Sequence, residues 1–319
     1  MSADPVGAQM RTDDARKPGL GLPGGPTGVR VQVDTKTRMR GRLLAWGACI
    51  WLVCIAVLAA SAGVLEDMLG VSHQMVALSQ RHLSPTWPHI LGTDEVGRDF
   101  AMRLIVGARV SLTVGLVSAL IASTCGAIIG LWAGYRGGFW DAILMRLADL
   151  MLTLPVLPLM LILAALDWPD GWVWAENSQI RIIILISAFG WMGVARITRA
   201  STLSVKEQDY VLAARTLGAS EFRVLFIHIL PNVLGPVLVA TTLEVGSHIL
   251  YEAALGFLGL GVQPPVPSWG NMLSQALDFI KSHPALAFWP GFFILVTVSC
   301  IHIIGDALRD ALDPHEGQR

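Results

Sequence analysis

Apolar and polar positions alternate along the chain in blocks longer than a globular domain needs. Residues 43–65 run for 23 positions without a charge. At about 1.5 Å of rise per residue, such a run crosses the roughly 30 Å hydrocarbon core of a bilayer. It exceeds the roughly 7–15 apolar residues of a signal-peptide core, so it predicts an anchor rather than a cleaved leader. Val110 to Tyr135 is also uncharged, and Leu147 to Leu166 holds only Asp149. Ile182 to Ala195 is the shortest run, extended at its edges by Ile180 and Arg196. Ile229 to Leu250 contains Glu244, and Leu286 to Ile304 contains His302 near its end. The pattern predicts an all-α polytopic membrane protein with six transmembrane helices.

The chain divides accordingly. A polar tail, 1–42, carries the Gly/Pro-rich run at 19–28 and is expected to be cytoplasmic and disordered. The first span, 43–65, leads into an extracytoplasmic segment, 66–109. A core of five spans, 110–305, contains a cytoplasmic loop at 204–227, and a cytoplasmic tail, 306–319, ends the chain. Of the 23 Lys and Arg, 17 fall in the N-terminal tail, in 136–146, in 196–228 and beyond 305. The positive-inside rule then places both termini in the cytoplasm.

Composition narrows the class. Hydrophobic residues make up 53% and charged residues 15%, against about 25% charged in an average chain. That excludes a soluble single-core enzyme, and the net charge of −1 gives no nucleic-acid footprint. Cys49, Cys54, Cys125 and Cys300 all sit in apolar runs without metal-type spacing and read as small core hydrophobes.

Chemistry concentrates in three places. In the cytoplasmic loop, Ser204 and Glu207 read as a capping box, and Glu207 and Asp209 put negative charge in a first turn. Tyr210, Ala214 and Leu217 fall on one face of a short helix that Gly218 stops. Ser220 caps a second short helix, and Pro231 fits the first turn of the next span. The small Ala213 and Ala214 allow close approach to another surface. In the external segment, Asp94, Glu95, Arg98, Asp99 and Arg103 are spaced for i,i+4 pairing on an outer-face helix. That helix reads either as a contact for a partner or as a self-paired solvated element. Within the spans, Asp149, Glu244, His248, Glu252 and Asp306 should avoid lipid. Glu244, His248 and Glu252 are four apart on one helix face. Three readings stay open for them: a pathway or gate, buried pairing with a partner subunit, or ligation of a metal ion.

The loop also resembles a known element. Ala213, Ala214 and Gly218, with Leu230 and Pro231 following 12 and 13 residues after the glycine, are similar to the EAA loop of bacterial ABC importer permeases. Leu212 stands where that pattern has its leading Glu, and His228 where it has Ile. LGTDEVGRDF at 91–100, followed by Arg103, Gly107, Arg109 and Ser111, resembles the segment before the second span of dipeptide/oligopeptide permease subunits. AALGFLGLGVQPPVPSWGNML at 253–273 and GDALRDALDP at 305–314 resemble two further stretches of the same subunits. The resemblance covers roughly residues 40–314, to the C-type member of the paired permeases.

The resemblance implies a type I ABC importer permease (MetI-like) fold in a bacterial inner membrane. The implied partners are a paralogous B-type permease subunit, two ABC ATPase subunits, an extracytoplasmic solute-binding protein and the lipid bilayer, with no nucleic acid. The implied ATPase-coupling residues are Glu207, Asp209, Tyr210, Ala213, Ala214, Arg215, Gly218, Ala219, Leu230 and Pro231. The implied extracytoplasmic set is Gly92, Thr93, Asp94, Gly97, Arg98, Asp99 and Arg103, and the candidate pathway or subunit seam is Asp149, Glu244, His248 and Glu252. No catalytic and no metal residue is expected. The chain has no GxxxxGK[ST] loop, so ATP and Mg are expected on partner subunits and no cofactor on this chain. Nickel, glutathione or another small solute is the alternative cargo. A secondary transporter would show internal repeats, and a membrane enzyme would need a motif such as HExxH or GxSxG, which does not occur.

Overall fold

The computed structural model describes residues 35–166 and 177–312. The expected disordered tail and the last residues of the C-terminal tail lie largely outside the described residues.

Among the described residues the chain is helical. α1 spans Thr35–Ala60 and α2 Ala62–Leu69. α3 runs unbroken over Phe100–Arg136, 37 residues. α4 (Gly138–Thr153) and α5 (Val156–Ala164) meet at a bend of 84°. α6 spans Ser178–Lys206, α7 Asp209–Thr216 and α8 Leu230–Phe257. α9 (Trp269–Ala276) and α10 (Ala285–Leu312) complete the bundle. Among the described residues five helices are long and apolar enough to cross a membrane, and the bent α4–α5 pair is so only when its two halves are taken together.

The bend has a local cause. Pro155 has no amide hydrogen, and a residue before proline is driven out of the α region. Leu154 accordingly sits extended, at φ −78° and ψ 142°. Pro236 behaves differently: it lies inside α8, which continues unbroken through it. The fourth span is longer than its uncharged run. α6 continues past Ala195 because Arg199 pairs with Asp141 and Arg196 with Asp149 of α4.

Packing centres on α3, which lies against α6 and α8. Gly126, Gly130 and Gly134, each four apart, are buried and turn to α6. A methyl group on Gly126 would run into the Trp191 carbonyl, and one on Gly130 into that of Ala195. At Gly134 it would lie 2.8 Å from Thr202. Small residues at this spacing let helix backbones touch inside a membrane, where no hydrophobic effect drives helices together. The opposing Thr198 and Thr202 spend their hydroxyls on Val194 and Thr198 carbonyls one turn back, at 2.8 and 2.7 Å. α10 closes the far side: Trp51 of α1 donates to Thr297 Oγ1 at 3.2 Å and packs on Phe292 and Phe293.

Adding a methyl group at the α3–α6 contact is therefore expected to separate the helices. Gly130→Ala should lower stability by about 1–3 kcal/mol. Gly235→Ala, whose added carbon meets only Leu312 at 3.9 Å, should leave it unchanged or raised. Thermal unfolding of the detergent-solubilised chain reads both. Equal stability of the two variants would remove the glycine contact as the organising element.

Candidate functional site

The segment between α2 and α3 is a knot of turns, where a helix over 91–103 was expected. Asp94 accepts from the Val96 and Arg98 amides at 3.0 and 2.9 Å, a local bonding mode that competes with helix formation. Gly92 and Gly97 take φ of 78° and 83°, and a side chain at Gly97 would strike the Ala77 backbone. One bridge joins Thr93 to Asp99, and the helix begins only at Phe100.

The expected charged partners are rearranged by this turn. Asp94 does pair with Arg98, at 2.6 Å, but Arg103 also turns to Asp94, at 3.3 Å, rather than to Asp99. Asp99 caps α3, accepting from the Met102 amide at 2.7 Å, and meets His89 at 2.8 Å. Arg98 reaches Glu95 at 3.0 Å. Thr93 bonds the Gln80 carbonyl and accepts from the Leu83 amide at 2.9 Å. Thr93, Asp94, Asp99 and Arg103 are all about 98% buried. Arg103 donates on to Gln275 of α9 at 3.1 Å, so the knot clamps two segments at this end of the bundle together. A second tie is aromatic: His82 stacks on His283 with centroids 4.2 Å apart. Burial, then His283 and Arg81, push the His82 imidazole below its ordinary value, against the pull of Glu95 and Asp94.

Deeper, the in-span polar residues separate into two groups. Glu252 and His248 are fully buried within this chain. Ser111 of α3 donates to Glu252 at 2.8 Å and accepts the Trp269 amide at 3.2 Å, which joins α3, α8 and the start of α9. His248 Nδ1 meets Ser118 at 2.9 Å, its ring packs on Gly190 of α6, and its Nε2 lies 3.4 Å from Glu244. Glu244 is partly exposed, and Asp149 faces out of the chain on α4, 3.5 Å from Arg196. Among the described residues no three His, Cys, Asp or Glu side chains are grouped to hold a metal. Asp306 is exposed near the end of α10.

At the other end of the bundle lies the loop helix. Ser204 does not cap it. α6 continues through Ser204 to Lys206, Glu207 follows as its cap, and α7 starts at Asp209 after Gln208. Val205 packs into the cluster around Val211, and that burial outweighs the local capping signal. The face that anchors α7 is Val211, wholly buried against Val224, Leu225 and Ile229. Tyr210 and Leu217, expected to share a face with Ala214, are exposed, Leu217 by 88%. Ala213 and Arg215 are exposed and Ala214 and Ala219 half-buried. Gly218 takes φ of 81° just beyond the helix, and Ser220 caps the next turn through the Arg223 amide. That turn widens into a π-helical stretch over Val224–Ile229, and Leu230 and Pro231 open α8.

Some partners carried no signal of their own in the sequence. Gln275, His89 and Ser118 are ordinary polar residues until the fold brings them to Arg103, Asp99 and His248. The glycine triad did have a legible period.

Comparison with known proteins fits this architecture. Residues 126–317 match the family model described as binding-protein-dependent transport system inner membrane component. The chain is 40% identical to the oligopeptide transport system permease protein OppC of Bacillus subtilis, over 88% of each chain. It is 39% identical to the dipeptide transport system permease protein DppC of the same organism, over 88% of this chain and 85% of that one. It is 36% identical to the nickel transport system permease protein NikC of Escherichia coli, over 85% of this chain and 95% of that one.

Two outcomes follow from the knot. Asp94→Ala leaves buried Arg103 without a carboxylate and Arg98 with Glu95 alone, and should lower stability by roughly 3–5 kcal/mol, whereas Glu95→Ala should cost under about 1 kcal/mol. Limited proteolysis of the 78–99 segment measures the difference, and equal sensitivity would refute the clamp. Acid should also loosen the His82 contact. A group whose folded value is lowered binds fewer protons folded than unfolded, so its contribution is present above the ordinary histidine value and is lost as pH falls. Protection of 78–99 against hydrogen exchange, after correction for the slower intrinsic exchange at lower pH, should fall between pH 7 and 5, and His82→Phe should flatten that fall.

Proposed function

We propose, from the premise that the chain belongs to the binding-protein-dependent transport system inner membrane components, that it carries small peptides as the C-type permease subunit of an ATP-driven importer. Membership makes it an ABC importer permease and a multi-pass membrane protein. The peptide cargo is supported by the oligopeptide and dipeptide permeases at 40% and 39% identity. The nickel permease is 36% identical, and so is a glutathione transport system permease protein from Pectobacterium atrosepticum.

One observation carries the coupling role. α7 is held to the bundle by a single fully buried residue, Val211, while Leu217 and Phe222 beside it are 88% and 71% exposed. A short helix fixed on one side, with exposed apolar residues just beyond its end, is a lever seated on a partner. That partner is one of two ATPase subunits, which hold ATP and Mg. Motion entering at α7 reaches α6 through Lys206 and α8 through the Val224–Ile229 stretch, and biases the bundle between its inward-open and outward-open arrangements. Both termini lie on the same side as α7, in the cytoplasm. On the opposite side the knot and α9 face a solute-binding protein. Glu244 of α8 and Asp149 of α4, both at the surface of this chain, line the seam with a paralogous B-type permease, where the pathway runs. His248 and Glu252 hold that seam from behind.

In the reconstituted complex, Leu217→Asp should leave assembly of the two permeases intact but cut ligand-stimulated ATPase activity by roughly tenfold or more. Uptake of a labelled dipeptide should fall in parallel. Unchanged stimulation would refute the coupling role, and uptake of nickel or glutathione in preference to dipeptide would refute the cargo.

A further inference from the structure

Where α3 ends, a polar pocket of about 310 Å³ opens between Tyr135, Arg136, Arg215, Ala219, Glu221 and Val224. It has two guanidinium groups and one carboxylate. Both arginines are held by aromatic faces: Arg215 lies 5.1 Å from the Tyr135 ring centre and Arg136 5.1 Å from that of Trp132. Such cation–π contacts fix the direction of a guanidinium without neutralising it. The only carboxylate lining the pocket, Glu221, meets Arg136 at 3.2 Å, with both side chains about half exposed or more, a pairing that exchanges readily. Lys206 adds a third positive charge nearby, donating to the Gly134 carbonyl at 2.9 Å. The pocket therefore favours an anion, and paired guanidinium forks suit the oxygens of a phosphate group.

The surface leading to the pocket says what kind of phosphate. Ile121, Ile128 and Trp132 are all exposed, between 43% and 63%. At about 100° per residue they share one face of α3, and Arg136 falls at the edge of that face one turn further on. This face is an apolar track, about 16 Å long from 121 to 132 by helical rise, that ends on a cation. Phe139 and Trp140, 72% and 57% exposed, flank the charged end, as aromatics do at a membrane interface. A soluble anion or a carboxylate on a partner protein would use the arginines and leave the track unused. An anionic phospholipid uses both.

We propose that the Arg136–Arg215 pocket binds the phosphate headgroup of an anionic phospholipid whose acyl chains lie along the 121–132 face of α3. The lipid then sits directly behind α7, in contact with Arg215 of that helix. Anionic lipid therefore acts on the coupling element itself.

The test uses the full importer complex, stripped of lipid in detergent and titrated with phosphatidylglycerol, phosphatidylcholine or inorganic phosphate, with native mass spectrometry counting bound lipid. Phosphatidylglycerol should bind about tenfold more tightly than phosphatidylcholine. The R136Q/R215Q pair should abolish that preference. Glu221→Gln removes the competing carboxylate and should strengthen phosphatidylglycerol binding by a few fold, a gain that misfolding does not produce. Equal binding of the two lipids overturns the proposal, as does a preference that survives R136Q/R215Q. Displacement of phosphatidylglycerol by an equal concentration of inorganic phosphate would assign the pocket to a soluble phosphate. Release of the ATPase subunits from R136Q/R215Q with lipid binding unchanged would assign it to a partner's carboxylate.

Discussion

The closeness of two backbones governs this bundle. α3 and α6 meet across Gly126, Gly130 and Gly134, with glycine α-carbons set against opposing carbonyls and threonines. Inside a bilayer, lipid satisfies apolar side chains as well as a neighbouring helix does, so tight van der Waals approach must supply the attraction. Once α6 lies in that groove, its register is set. Arg199 and Arg196 then fall opposite Asp141 and Asp149, and Gly190 falls opposite His248. The ion pairs that extend the fourth span and the polar seam that joins α8 are thus downstream of three missing side chains.

The polar residues of the knot are devoted to internal architecture. Asp94 collects two arginines and two backbone amides, and Asp99 collects a helix end and a histidine. Arg103 passes the connection to α9, and Ser111 passes another from Glu252 to the same helix. Partly satisfied buried networks are destabilising, whereas densely connected ones fix a single arrangement. This network ties α9 to α3 and α8 from two sides.

The legible part of the sequence was its long-period information. Uncharged runs located five spans directly, because burial in lipid forbids charge along a continuous stretch. They underestimated α6, since Arg196 and Arg199 find carboxylates on α4 that no local window contains. The spacing of Asp94, Arg98, Asp99 and Arg103 suggested a helix. The local bonds of Asp94 and the left-handed glycines decided for a turn, and Gly92 and Gly97 were the available sign of it. At α7 the capping signal of Ser204 lost to burial around Val205, and the anchoring Val211 was hidden next to the more conspicuous Tyr210. Gly218, Ser220 and Pro231 did their local work where the sequence placed them, because their preferences depend on backbone geometry alone.

α3 has one further consequence. It is a single helix of 37 residues, about 55 Å long, capped by Asp99 in the knot and ending at Arg136 under the loop helix. It has neither a proline nor a break along that length. An unbroken helix of this kind offers no hinge at which a displacement could be taken up. The two ends of the bundle therefore share one mechanical element.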